Sequence, residues 1–173
     1  MLRLVCVLLL QVVLSAHGAE QSTQSTDAAT RDELLQFFNT QEKIWLYMRT
    51  NNNASTCVSI TRKSMTDFQF TQEYEINNQK YTTPFDVNLS TDHPRSAIMT
   101  VNKDGRQTQY TAKYIHSNDN CAVFTFEVTG RECELYVWNH DVATTSPISY
   151  EVEFDKICEG LHKRMPYHAG CQP

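Results

Sequence analysis

The feature that most constrains the fold is a hydrophobic period of two that recurs from residue 43 almost to residue 139. Successive strand side chains point to opposite faces, so this alternation predicts strands with one buried face. In KIWLYMR, Ile44, Leu46 and Met48 fall on one face and Trp45, Tyr47 and Arg49 on the other. The pattern resumes with Val58 and Ile60, then with Phe68 and Phe70 continued by Tyr74 and Ile76. It continues with Tyr81, Phe85, Val87 and Leu89, where Pro84 marks a bulge or an edge. Residues 97–119 read as a hairpin about Asp104-Gly105, and 121–128 pairs with 133–139 about Thr129-Gly130-Arg131. The spacing predicts about eight short strands joined as a meander, with no crossover helix that could support a parallel sheet. The expected fold is therefore all-β, an eight-stranded antiparallel up-and-down barrel. Closure removes exposed edges, and eight strands leave room for one small ligand. A sandwich is the alternative, without the Cys and Trp spacing of an immunoglobulin domain.

Two segments break the period. Thr30 and Glu33 form a capping box ahead of Leu34, Leu35, Phe37 and Phe38, which predicts a short helix. After Pro147, Ser149 can cap a helix carrying Tyr150, Phe154, Ile157 and Leu161 at i, i+4, i+7 and i+11, ended by Pro166. This helix is expected to pack outside the barrel.

The beginning of the chain has the organisation of a secretory signal peptide. Arg3 precedes an apolar stretch, Leu4 to Leu14, interrupted by Gln11, and Ala16 and Gly18 suit a cut after Gly18. The expected organisation is a signal peptide over 1–18, a flexible polar leader over 19–29, and a barrel domain over 30–173. The formal net charge is −5 at pH 7, one unit more negative without Arg3. Mild acidity with no dense Lys/Arg cluster argues against a nucleic-acid partner, and no later apolar run could span a membrane.

Six cysteines are present, of which Cys6 lies in the signal segment. Cys57, Cys121, Cys133, Cys158 and Cys171 allow two bridges with one residue left over. The odd thiol could be buried, bonded to a partner chain, or capped by a small molecule. Cys133 is assigned that role here, because it lies in an apolar strand pattern. Asn53-Ala54-Ser55 and Asn88-Leu89-Ser90 are N-glycosylation sequons. No phosphate loop, dinucleotide fingerprint, nucleophile elbow or zinc motif occurs. Beyond the signal segment, which holds His17, the histidines His93, His116, His140, His162 and His168 have no metal-cluster spacing. The reading is of a protein that is not an enzyme and has no metal or cofactor.

A set of residues resembles a known family. Cys57 opens the second strand, Asn118-Asp119-Asn120-Cys121 precedes an apolar strand, and Glu132-Cys133-Glu134-Leu135-Tyr136-Val137-Trp138 follows. A C-terminal helix then contains Cys158, and Cys171 lies near the end. The set resembles the tick salivary lipocalins, which include histamine-binding proteins. The resemblance implies a barrel secreted in saliva to sequester host mediators, with bridges Cys57–Cys171 and Cys121–Cys158. It would leave Cys133 unpaired, and an outward-facing Cys133 would allow a linked dimer of an otherwise monomeric protein.

Amine-binding members of such a family place carboxylates and aromatic rings inside the barrel, because a buried ammonium needs a counter-charge. By the same resemblance, the eighth-strand acid and aromatic fall on Glu134 and Tyr136, and the sixth-strand aromatic on Tyr110. Two further acid positions fall on Ala112 and Ala122, which puts histamine binding in doubt. A wall containing Phe68, Phe70, Tyr110, Tyr114, Phe124, Phe126 and Tyr136 would suit a fatty acid, leukotriene or sterol. Arg49, Arg106 or Lys113 could meet a carboxylate head. The expected ligand is thus a biogenic amine or a lipid mediator. The alternative is an immunomodulator that binds a host protein through loops 50–56, 90–96 and 140–147.

Overall fold

The computed structural model describes residues 29–64, 66–91, 97–118, 120–144 and 148–172. The expected signal peptide and nearly all of the leader lie outside these residues. So do parts of the loops at 90–96 and 140–147.

After a short helix, α1 (Arg31–Phe37), come eight strands: β1 (Ile44–Arg49), β2 (Thr56–Arg62), β3 (Gln69–Ile76), β4 (Gln79–Leu89), β5 (Ile98–Lys103), β6 (Arg106–His116), β7 (Cys121–Glu127) and β8 (Arg131–Trp138). Helices α2 (Asn139–Thr144) and α3 (Ile148–Ile157) follow. Each strand pairs antiparallel with the next, and β1 pairs with β8 to close the barrel. The turn at Asp104-Gly105 has φ of 51° and 73°, the left-handed pair that a two-residue hairpin requires. Asn77-Asn78 does the same between β3 and β4, with φ of 51° and 62°. Asparagine tolerates this region because its short amide can bond locally.

The capping box of α1 forms as expected: Glu33 N–H donates to Thr30 Oγ1, and Thr30 N–H to a Glu33 carboxylate oxygen at 2.7 Å. Trp138 Nε1 donates to Phe37 O at 3.1 Å and Arg62 Nη1 to Phe38 O at 3.2 Å. These donors satisfy carbonyls at the helix end that have no intrahelical partner. Leu34, Phe37 and Phe38 are thereby fixed as a plug across one end of the barrel, packed with Phe70 and Phe124.

Outside the barrel, Tyr47, Met48, Val123, Leu135 and Val137 form a second core with Tyr150, Phe154 and Cys158. This is the expected seat of the C-terminal helix. The helix stops at Ile157 rather than running on past Leu161, with Gly160 at φ 80° just beyond it. Helix α2 takes up Asn139, expected at the end of the eighth strand, and residues 140–144 of the expected loop 140–147.

Three strands carry an extra residue that breaks the alternation, and in β2 it falls between Thr56 and Ser59 opposite β3. In β1 the pairing with β8 shifts between Leu46 and Met48, so Leu46 opposes Tyr136 while Met48 opposes Leu135. Tyr47 and Met48 both pack outward, and Arg49 turns into the barrel opposite Glu134. In β6 the shift between Ala112 and Tyr114 sends Tyr114 to the outer core, away from Tyr110 and Ala112.

The disulfides confirm one expected pairing and correct the other. Cys57 is bonded to Cys171, but Cys158 is bonded to Cys133, not to Cys121. Cys121 is buried and belongs to neither bridge. The reason is the direction of α3. Cys121 opposes Val137 at one end of the β7–β8 ladder and Cys133 opposes Thr125 toward the other, four residues or about 13 Å away. Tyr150 and Phe154 occupy the wall between, so Cys158 emerges beside Cys133. The suggested Cys133-linked dimer is thereby overturned, because Cys133 is already bonded within the chain.

Chain entropy assigns about 4.8 kcal/mol to closing the 114-residue separation and about 3.5 kcal/mol to the 25-residue one. Cys158→Ala is expected to lower unfolding free energy by up to that smaller amount in urea titration. Non-reduced peptide mapping should join the Cys133 and Cys158 peptides, and Cys121→Ala should leave both bridges in place.

Candidate functional site

Above the plug, the barrel encloses a cavity of about 360 Å³. It lies toward the end that carries the β1–β2, β3–β4 and β5–β6 connections, and exposed Asn53 stands at its mouth. Leu46, Val58, Ile60, Val87, Met99 and Val101 supply an aliphatic wall from four strands, β1, β2, β4 and β5, each reached by period-two alternation. Phe38 and Phe85 stand toward the plug, and Tyr110, Phe124, Phe126 and Tyr136 form an aromatic side. Within that side Tyr110 and Phe126 are stacked with centroids 4.4 Å apart, and Phe124 meets Tyr136 edge-on at 5.9 Å.

Among the described lining residues, the charged ones are Arg49, Lys103 and Glu134. Glu134 is only 7% exposed and accepts from Tyr136 Oη at 3.0 Å and from Asn51 Nδ2 at 3.4 Å. Tyr136 lies two residues along β8, on the same face. Burial pushes the Glu134 carboxyl above its ordinary value, opposed by the Tyr136 hydrogen bond, by the Arg49 charge and by Asn51. Burial also raises the Tyr110 and Tyr136 phenols, and the Glu134 charge adds to both shifts, so each stays protonated and able to donate.

Arg49 is 4% exposed. Its Nη1 donates to Ser55 Oγ at 3.1 Å, and its Nη2 donates to the carbonyls of Asn53 and Ser55. Its Nε is buried with no hydrogen-bond partner. Burial lowers the Arg49 guanidinium from its ordinary value, and Glu134 opposes that shift. The backbone of Arg49 is fixed from outside by a two-way bridge to Arg164, with N–O distances of 3.0 and 2.8 Å. Lys103 donates to Gln72 Oε1 at 2.5 Å and lies 5.3 Å from the centroid of the Tyr74 ring.

Residues 21–173 match the family described as tick histamine binding protein. The chain belongs to that family. Membership carries secretion, an extracellular setting and non-catalytic binding of small molecules. Two similar solved structures share the fold. One is AM182 in complex with serotonin, with a TM-score of 0.63 and 17% identity, covering 80% of this chain and 92% of that one. The other is Japanin from Rhipicephalus appendiculatus bound to cholesterol, with a TM-score of 0.57 and 15% identity, covering 77% and 97%. No curated protein sequence matches the chain.

Of the residues expected at the site, Tyr110, Phe124, Glu134 and Tyr136 come together in the cavity wall, and Phe126 joins them. Phe70 does not. It is fully buried beneath the wall, its ring 5.2 Å from Phe38 and 5.3 Å from Phe85, which do line the cavity. Phe68 lies under the Arg62 guanidinium at 4.4 Å, and Tyr114 faces outward. Ala112 and Ala122 are fully buried in the inner core and line no part of the cavity. Their end of the barrel is filled by α1, so small residues there sit among packed rings and do not widen the chamber.

Arg106 and Lys113 are exposed and away from the wall, whereas Arg49 and Lys103 line it. Val58, Ile60, Val87, Met99 and Val101 were legible from strand parity, although no site role was assigned to them. The cluster of two sulfurs and one ring nitrogen at Cys57, Cys171 and His168 has metal-like spacing, but its two sulfurs are bonded to each other. Asn53 is exposed in its loop, and Asn88 is exposed on β4.

The Glu134 shift has a consequence for stability. Its folded-state value lies above the ordinary 4.5, so the folded protein holds that proton more tightly than the unfolded chain. Stability is therefore lost as pH rises from the ordinary value through the raised one. Glu134→Gln is expected to raise the melting temperature of the unliganded protein at neutral pH, with the gain shrinking toward pH 4. Calorimetric scans across that range measure it.

Proposed function

We propose that the protein sequesters one small host mediator in the barrel cavity, and that this ligand has an apolar body and an anionic or acceptor-rich head. A lipid acid fits this description, and a diamine does not. The observation that carries the reading is charge: two cations, Arg49 and Lys103, against one acid, Glu134, in a wall otherwise dominated by apolar and aromatic groups. Burial also favours the neutral form of Glu134, which shifts the balance further toward positive. The Arg49 guanidinium, part of the lining, offers positive charge to a head-group oxygen. Tyr110 and Tyr136 are further donors, held protonated by burial. Capture would be by equilibrium binding, with no bond made or broken.

A second reading has its own support. Glu134 stands beside Tyr110, Phe124, Phe126 and Tyr136, an arrangement that suits a single ammonium. Of the two similar structures, one is a serotonin complex and the other is bound to cholesterol, a neutral sterol. A host-protein target acting through the outer loops needs no interior space and would fit a barrel filled from end to end. The open chamber above the plug favours a small molecule instead.

Calorimetric titration with serotonin and with a long-chain unsaturated fatty acid separates the readings. The fatty acid is expected to bind once per chain, to keep or gain affinity in Glu134→Gln, and to lose about two- to fivefold in Lys103→Gln. Tighter serotonin binding that falls about tenfold or more in Glu134→Gln would replace the lipid reading with the amine one.

A further inference from the structure

We propose that Asn53 carries an N-glycan that forms part of the cavity's rim and slows the entry and exit of ligand. The inference rests on the reading of the barrel cavity as the ligand chamber. It adds a modification to that chamber.

The sequon Asn53-Ala54-Ser55 lies in the β1–β2 connection, and Asn53 is both exposed and part of the cavity lining. The atom that takes a sugar is Nδ2. In the folded loop Asn53 uses Oδ1 instead, accepting from Ser55 N–H at 3.0 Å, and Nδ2 takes no part in the loop's hydrogen bonds. A sugar on Nδ2 is therefore compatible with the loop as it stands. The neighbouring Asn51 differs, since its Nδ2 is turned inward to Glu134.

The loop beneath the sugar is held firmly on both sides. From inside, Arg49 grips the carbonyls of Asn53 and Ser55 and the Ser55 hydroxyl. From outside, Cys57 N–H donates to Pro166 O at 2.9 Å, and the Cys57–Cys171 bond ties the end of the loop to the tail. A glycan rooted in a loop pinned in this way keeps its first sugar at the mouth, where it acts as a gate on both passage rates.

The modification itself is ordinary secretory chemistry. The oligosaccharide comes from a lipid pyrophosphate donor. The bond from its first sugar carbon to the pyrophosphate oxygen breaks, a bond from that carbon to Nδ2 forms, and the amide proton leaves to the pyrophosphate. Asn88, the second sequon residue, gives an internal control. It is exposed on β4 beside Val87, which faces the cavity, so its own side chain points to the opposite, outer face.

The test uses the full chain secreted from insect cells, with 1-anilinonaphthalene-8-sulfonate as an apolar anionic probe followed by stopped flow. Glycopeptide mass spectrometry should find Asn53 occupied. Asn53→Gln should speed both association and dissociation by about threefold or more with little change in Kd, and Asn88→Gln should change neither. Trimming the folded wild-type protein to a single N-acetylglucosamine per site should move the rates in the same direction, which guards against misfolding of the variant. An unoccupied Asn53, or equal rates with and without its glycan, overturns the inference and leaves the cavity reading intact. Failure of every form to take up the probe would remove the cavity reading, and this inference with it.

Discussion

One inserted residue in β1 decides the chemistry of the interior. Regular alternation would place Arg49 outside with Trp45 and Tyr47. The bulge at Tyr47–Met48 turns two consecutive side chains into the outer core and sends the guanidinium into the barrel opposite Glu134. A buried charge is costly unless it is paired and hydrogen-bonded, and Arg49 meets that demand with three acceptors on the loop that follows it. The same residue therefore sets the charge of the chamber and fixes the shape of its mouth. Outside, the bridge to Arg164 and the Cys57–Cys171 bond hold the strand and loop where the guanidinium needs them.

The barrel is divided in two by its own N-terminal helix. α1 contributes Leu34, Phe37 and Phe38 to one end, and together with Phe70 and Phe124 they close it. What remains is a chamber whose described lining holds one acid, Glu134. Ala112 and Ala122 belong to the closed half, where packed side chains fill the space beside them. The outer helix α3 stabilises the opposite side of the same wall, anchored where β8 begins by Cys133–Cys158. Both devices concentrate polar function at one end of the molecule.

Most of the architecture was legible in the residues. Alternation, Asp104-Gly105 and the Thr30/Glu33 box are local signals, and the elements they predict are present. Glu134, Tyr136 and Tyr110, the positions named from the resemblance, line the cavity together with Phe124, named from the aromatic strand pattern. The failures share a cause, which is that they depend on contacts distant in sequence. Nothing local at Tyr47 or Lys113 marks a bulge, since neither is glycine or proline, and the extra residue is defined only by the partner strand. Phe70 has the right parity but the wrong height along the strand, because α1 covers it. The partner of Cys158 depends on which way α3 runs along β7 and β8, and spacing along the chain cannot supply that.

The central claim is that the chamber selects its ligand by head-group charge. Binding of three compounds with one shared ten-carbon chain, decanoic acid, decanol and decylamine, measured by calorimetry on the wild-type protein at pH 7, tests it most directly. The account predicts that the acid binds tightest and the amine weakest. An amine that binds more tightly than the acid would contradict it.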